Sequence, residues 1–349
     1  MKIHVISETP LVMKATGVHT AFLDHVELLK SKNDVEVVIN DEGTGDVIHG
    51  HTYGPYNFWK GRKYSGRRVF TVHVIPDSIK GSLPLWKLFM PFVRLGLKIV
   101  YSYADVCIAI SPAVEKAIIE TGAKTKIVRI NNPVHTDFWK RTVENRKTGR
   151  HMLGLSEEEF VILGVGQLTG RKGIDDFLDI AGALPDVKFV WAGGRPFGVL
   201  TEGIKRINKR LRSAGKNVIH TGNVDLEIMP DIYAAADLML FPSYQENCPL
   251  APLEAAACGM PVIYRDIEEY RSLYENPYLK AETTEEFIKL TKRMIDDKEF
   301  YNNGLKISEQ LLRQFDKDQI REKLLSIYED LVSNWESSIL NVPLSELGV

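Results

Sequence analysis

The chain has 349 residues, 44 Lys and Arg against 46 Asp and Glu, 44% hydrophobic and 26% charged, a balance that excludes disorder and gives two domains a core each. The net charge of −2 hides a split, because residues 1–150 carry 22 basic against 14 acidic side chains and the remainder 22 against 32; an anionic partner is expected for the first half, with solvated surface charge as the plain alternative. No run approaches ~20 apolar residues, the opening MKIHVISETP turns polar too soon for a signal peptide, and Cys107, Cys248 and Cys258 lack disulfide or zinc spacing, so a cytoplasmic setting is expected.

Lys2–Ser7 reads as an apolar strand, and the Pro10–His19 loop runs into a helical pattern through Leu23, Val26 and Leu29. Gly17 stands at that junction, where a turn accounts for it. Val35–Ile39 and Val47–His49 are the next strands, the second ending in His49-Gly50-His51. Histidines at i and i+2 suggest a metal, but no third ligand is near in sequence, and no metal site is expected. Val69–His73 follows, and His73 falls at its C-terminal end, where ligands of open parallel sheets collect; a packed structural histidine is the alternative. Asp77 is a general base or a helix cap.

In Ser78–Tyr103, Lys80, Lys87, Arg94 and Lys98 fall along one helical stripe. Trp86, Met90, Leu97 and Tyr101 flank it on one side, Leu88, Phe92, Leu95 and Ile99 on the other, and Pro91 is expected to divide the helix in two. With Trp59 and the basic residues of 60–68 close by, this reads as an interfacial helix on anionic lipid, against a core helix with snorkelling cations. Asp105–Ile110 and Lys126–Ile130 complete the first sheet, with a helix at Ala113–Thr121 whose leading Ser111 is an N-cap or a site residue. Polar Lys140–Gly149 reads as the linker.

The second half opens with the strand Phe160–Gly166, then Gln167-Leu168-Thr169-Gly170-Arg171-Lys172-Gly173. Apolar strand, glycine-rich turn and helix form a phosphate-approach site. Trp191–Gly194 and Val218–Val224 end further strands. In Leu240–Ile263 the apolar run stops at Phe241, Pro242-Ser243 turns, and Glu246 and Glu254 stand eight residues apart. An Ala-rich helix around Glu254 is stopped by Gly259 and Pro261. Backbone amides at such a strand–loop–helix suit phosphate; two solvated glutamates on an ordinary α/β unit are the plain alternative. Glu285–Trp335 is mostly helical.

E-x7-E after P-S, followed by G-x-P-V-I, resembles the donor-site signature of retaining family 4 glycosyltransferases. The resemblance implies the GT-B fold: α/β, two Rossmann-like doubly wound domains facing a cleft. It divides the chain into an acceptor- and membrane-facing domain (1–150), a nucleotide-sugar domain (151–316) and a last segment (317–349) crossing back to the first. By the same resemblance Glu246 lies by the transferred sugar and Glu254 holds the ribose. Lys172, the lysine of the family's G-R-L-x-x-x-K-G, grips the diphosphate with Arg171, while Gln167 replaces the family arginine. Asn247, Cys248 and Pro249 stand where the family has G-F-G, which removes an amide donor near the sugar. Leu250 and Ala251 open the helix behind, and Gly17 approaches the donor phosphates. His73, Glu246 and Lys172 are then the catalytic candidates, with His51 and Asp77 on the acceptor side.

Within that family, K-A-T-G-V-H-T-A-F-L and V-I-P-D-S-x-x-G-S-L resemble bacterial enzymes that glycosylate diacylglycerol lipids, nearer those that add a second hexose. The implied activity is transfer of glucose or galactose from a UDP-sugar to monoglycosyl-diacylglycerol. It would take place on the inner face of an anionic membrane that Trp59, Lys80, Trp86, Lys87, Arg94 and Lys98 contact, without metal or other cofactor and without nucleic acid. A glycosyltransferase with a soluble or polysaccharide acceptor, and a non-catalytic nucleotide-sugar binder, are the alternatives.

Overall fold

The computed structural model describes residues 1–12, 17–41, 43–52, 66–79, 86–195 and 203–340, with side chains except at 11, 12, 79, 86, 87, 89 and 334–340. Short Val- and Ile-rich runs alternate with helices, so the strands pair in parallel and lie buried between helical layers. Two compact units result, one of Met1–Val74, Arg94–Pro133 and the chain from Lys317, the other of Ile75–Val93 and Val134–Asp316.

In the first unit β1 (Lys2–Ile6), β2 (Glu36–Ile39), β3 (Val47–Gly50), β4 (Arg67–Val72), β5 (Val106–Ala109) and β6 (Lys126–Arg129) form one sheet in the order β2-β1-β3-β4-β5-β6, every pair parallel. The strand order reverses between β1 and β3, so the crevice beyond their carboxyl ends is where a ligand would enter. The Gly17–Lys30 helix buries Ala21, Phe22, His25, Leu28 and Leu29 on one face. Phe22, Val26 and Leu29 join Ile3, Val5, Val47 and Val69 in a core completed by Ile320, Leu324 and Tyr328 of the Lys317–Leu340 helix. Each fully buried aliphatic side chain contributes about 1.5–3 kcal/mol.

In the second unit β7 (Val161–Val165), β8 (Lys188–Ala192), β9 (Val218–Gly222), β10 (Leu238–Phe241), β11 (Val262–Arg265) and β12 (Leu279–Ala281) lie in the order β12-β11-β10-β7-β8-β9, also all parallel. Here the reversal falls between β7 and β10. The two loops carrying the sequence motifs, 166–173 and 242–250, therefore leave adjacent strands at one end of the sheet.

Two expectations are corrected, and a third question, the role of Ser111, is decided for the N-cap. The helix Trp86–Ser102 runs unbroken through Pro91. Proline there is the sixth residue, and its missing N–H frees only the Lys87 carbonyl, while its side chain is exposed. Lys140–Gly149 is not a linker, because Val143–Leu153 is a helix with a capping box between Thr142 and Asn145. It lies against Met229–Ala235 so closely that a Cβ at Gly149 would stand 1.9 Å from the Asp231 carbonyl oxygen. Two of its cations point inward: Arg146 and Arg150 both pair with Asp237, at 2.8 and 2.9 Å. Ser111 is an N-cap, accepting from the Val114 amide at 3.3 Å.

Candidate active site

In the second unit the turn after β7 closes as a 3-10 segment, Gly170–Lys172, ended by Gly173 in the left-handed conformation (φ 74°). A Cβ on Gly173 would lie 2.2 Å from the Pro242 carbonyl oxygen, so glycine is what lets this loop meet the one after β10. The two loops are braced by the Tyr244 amide donating to the Arg171 carbonyl at 2.8 Å. Arg171 Nη1 donates in turn to the carbonyl of Gln245, 2.8 Å, and to its Oε1, 3.1 Å.

Lys172 and Glu246, 74 positions apart, meet at 2.5 Å, Nζ to Oε1. Burial pulls the Lys172 ammonium below its ordinary range, and the Glu246 carboxylate pushes it back up. The aliphatic part of Lys172 covers Gly166, and its Nζ stands 5.9 Å from the centre of the Phe241 ring. Around this pair Arg171 Nε, Thr169 Oγ1 and Ser243 Oγ are buried with no protein hydrogen-bond partner. Three such atoms on two adjoining loops mark a place where a polar ligand or water completes the bonding.

Glu254 lies on the buried face of Ala251–Ala257, and Oε2 accepts from the Tyr233 hydroxyl at 2.5 Å. Burial raises its carboxyl from 4.5 to about 7, against the lowering effect of the Tyr233 bond. Leu250 and Ala251 stand at the start of that helix, and Pro249 is buried before it. Asn247 is tied down at both ends of its amide, by Gln245 Nε2 at 3.1 Å and to Ser78 Oγ at 3.0 Å. Asp77 sits half-buried in the same turn as Ser78, Pro76–Ile79. Gln167 is half-buried, with its carbonyl accepting from the Thr169 amide.

The first unit brings His51 and His73 together, Nδ1 to Nε2 at 3.0 Å, both buried at the ends of β3 and β4. The sequence reading missed two partners. His25 of the Gly17–Lys30 helix lies with its ring centre 4.3 Å from that of His49 and 4.5 Å from that of His51. Tyr328 hydrogen-bonds through its hydroxyl to His49 Nδ1 and, at 3.2 Å, to His25 Nε2. The expectation that no third ligand is near His49 and His51 is thereby corrected, since His25, His49 and His51 are grouped closely enough to hold a metal. The buried face Ala21, Phe22, His25, Leu28 carried the signal: helical periodicity turns His25 toward the sheet. Gly17 is exposed at the start of its helix.

On the Trp86–Ser102 helix Leu88, Phe92, Leu95 and Ile99 are exposed, with Phe92 at 75%, and Arg94 and Lys98 are exposed beside them. Tyr101 faces inward, its hydroxyl donating to the Val74 carbonyl at 2.7 Å. Trp59 and Lys80 lie outside the described residues, as do the side chains of Trp86 and Lys87. Among the described residues no helix is long and apolar enough to cross a membrane.

Residues 145–308 match the family described as glycosyl transferases group 1, and residues 38–138 match glycosyltransferase family 4. The chain is 32% identical to the alpha-galactosylglucosyldiacylglycerol synthase of Streptococcus pneumoniae, over 95% of this chain and 88% of that protein. It is 29% identical to the processive diacylglycerol alpha-glucosyltransferase of Acholeplasma laidlawii, over 95% and 99%. Among solved structures, Anabaena HepE in complex with UDP-glucose superposes with a TM-score of 0.74 at 17% identity, over 95% of this chain and all of that one, which shows the shared fold.

Proposed function

The chain belongs to the group 1 and family 4 glycosyltransferases and is a hexosyltransferase of the GT-B fold, and on that premise we propose that it transfers glucose or galactose from a UDP-sugar to monoglycosyl-diacylglycerol. The product is the diglycosyl lipid, made by a protein held peripherally on the inner, anionic face of the membrane. The observation that carries the lipid acceptor is the row Leu88, Phe92, Leu95 and Ile99, four large apolar side chains left in water beside Arg94 and Lys98. Such a face suits the boundary of headgroups and acyl chains. The relatives named as diacylglycerol glycosyltransferases match over the same length, which supports the reading.

In the reaction the bond from the anomeric carbon to the diphosphate oxygen breaks, and its electron pair leaves with the diphosphate. The acceptor oxygen bonds to the same face of that carbon, so configuration is retained, and its proton passes to the departing phosphate oxygen. Lys172 and Arg171 stabilise the charge growing on the diphosphate. Glu246, held by Lys172, accepts hydrogen bonds from the sugar hydroxyls, and Glu254 accepts them from the ribose. His73 positions the acceptor hydroxyl. Because Lys172 and Arg171 supply the positive charge, the diphosphate needs no Mg²⁺ or Mn²⁺. Activity should survive EDTA; loss that Mg²⁺ or Mn²⁺ restores would refute this.

The test is turnover with radiolabelled UDP-glucose and UDP-galactose on vesicles that mix monoglycosyl-diacylglycerol with anionic phospholipid. Label in the lipid phase as a diglycosyl lipid is expected. Label transferred only to soluble acceptors would overturn the lipid assignment, and nucleotide-sugar binding without turnover on any acceptor would overturn the enzymatic one.

A further inference from the structure

A buried cation of the second unit, outside the donor chemistry, grips the loop that carries it. Arg265 is the last residue of β11, its side chain only 8% exposed. Its Nη2 stands 3.1 Å from Oδ1 of Asp176, which lies on the helix Ile174–Ala183 behind Gly173 and is itself 13% exposed. On the reading of Lys172 and Glu246 as donor-site residues, we propose that Arg265 and Tyr244 are positioning residues for that pair. They hold the loop after β10 where Glu246 meets Lys172.

Arg265 divides its donors among separate segments. Nε donates to the Pro242 carbonyl at 2.9 Å and Nη1 to the Glu282 carbonyl at 2.7 Å. The guanidinium carbon lies 3.9 Å from the centre of the Tyr244 ring. The Pro242 oxygen is the atom that a Cβ on Gly173 would strike. The guanidinium therefore fixes the point at which the loops after β7 and β10 touch. Tyr244 is held in three places: its ring by Arg265, its amide by the Arg171 carbonyl, and its hydroxyl by both Asp176 oxygens, at 3.1 and 3.0 Å. Thr284 Oγ1 donates to the same carboxylate at 3.0 Å and keeps it in place. Next in the chain come Gln245, which accepts from Arg171, and Glu246, which accepts from Lys172.

Stability alone gives little reason for such an arrangement. Desolvating two charges offsets most of their attraction, and Arg265 Nη2 makes no aligned hydrogen bond to Asp176 despite the short contact. What the guanidinium supplies is direction. Its planar fork reaches two carbonyls while its face covers a ring, which the point charge of a lysine does not reproduce. A misplacement of about 1 Å at reacting groups lowers a rate about 10²-fold, so an anchor this near Glu246 bears on turnover.

The experiment compares the full wild-type chain with Arg265→Gln, Arg265→Lys and Tyr244→Phe; the last removes one hydroxyl from a residue that is 52% exposed. On the UDP-sugar and vesicles above, kcat should fall about 100-fold in Arg265→Gln and about 10-fold in the other two, with UDP affinity within about 3-fold of wild type. In a Lys172→Ala background, Arg265→Gln should lower kcat by no more than about 3-fold, because the pair it positions is gone. A second readout needs no turnover: urea unfolding gives the coupling between Lys172→Ala and Glu246→Gln, which should vanish when both are combined with Arg265→Gln or with Tyr244→Phe. If wild type transfers no sugar from UDP, the donor reading fails, and the coupling still decides whether the loop is positioned. Unchanged kcat in folded variants, losses that multiply fully with that of Lys172→Ala, or an unchanged coupling would leave Arg265 a structural cation and overturn the role. Should Arg265→Gln fail to fold, Tyr244→Phe decides by the same measurements.

Discussion

Both units are six-stranded parallel sheets whose strand order reverses at one crevice, yet what they bury beside it differs in kind. The second unit buries formal charges in pairs: Lys172 with Glu246, Arg265 with Asp176 at 3.1 Å, Arg150 with Asp237 at 2.9 Å. The first buries neutral imidazoles, His25, His49, His51 and His73, joined to a tyrosine and a threonine. A common topology thus fixes where a ligand goes and leaves the chemistry to a few loop and strand-end residues. Charges held in reserve suit a diphosphate leaving group. Neutral nitrogens suit a hydroxyl.

The contrast breaks most visibly at Lys172. In the proposed mechanism Lys172→Ala removes the cation that meets charge developing late in the transfer, so kcat should fall about 10²–10³-fold while UDP affinity changes much less. It also leaves Glu246 buried without its partner, at a cost of about 3 kcal/mol in stability. Steady-state kinetics beside UDP calorimetry separates the two; an equal loss in affinity and turnover would show that Lys172 serves ground-state binding only.

Glu254 sharpens the same side. Glu254→Ala should weaken UDP binding by about 1.5–3 kcal/mol, the worth of hydrogen bonds to a charged acceptor. With its carboxyl raised to about 7 in the fold from 4.5, the folded chain binds the proton more tightly than the unfolded one between those values. Stability therefore falls as pH rises from 4.5 to about 7, by about 3 kcal/mol in all, and is level above. In the proposed ribose role the carboxylate is the accepting form, so UDP affinity should climb from pH 6 to pH 8. Glu254→Gln should flatten both profiles, and a wild-type affinity independent of pH would contradict the ribose role.

Much of the second unit was legible because its signals are local. Strand, glycine turn and helix lie within a dozen residues of Lys172, and the eight-residue spacing of Glu246 and Glu254 carries the family signature. What escaped was non-local. Tyr328 meets His49 across 279 positions, and no periodicity within one segment reports such a pair. Two local rules also misfired. Pro91 is carried inside a continuous helix with its side chain exposed, and Arg146 of Lys140–Gly149 looks solvated until Asp237, just before β10, pairs with it.

On the Trp86–Ser102 helix the expected effects are smaller and read out differently. Arg94 and Lys98 each contribute about 1 kcal/mol near an anionic surface, an attraction that fades within a Debye length. Arg94→Gln with Lys98→Gln should therefore reduce binding to anionic vesicles about 30-fold at physiological salt and leave UDP affinity unchanged. Phe92→Ser should weaken binding even at high salt, where the aromatic contribution persists. Equal co-sedimentation of wild type and the double variant would remove the membrane role from this face.

The smallest effect locates the border between the units. Thr142 accepts from the Asn145 amide at 3.1 Å and Asn145 Oδ1 from the Thr142 amide at 2.8 Å, two otherwise unpaired donors at the start of Val143–Leu153. Thr142→Ala removes half of that box, worth about 1 kcal/mol. If the helix belongs with β7 to β12, as its packing on Met229–Ala235 requires, the loss falls on the second unit alone. A ligand that binds one unit stabilises that unit's unfolding transition, so UDP identifies it in a urea melt. The Thr142→Ala shift should appear in the UDP-sensitive transition, and the other transition should not move. A shift confined to the UDP-insensitive transition would assign the helix to the first unit and place the border beyond Leu153.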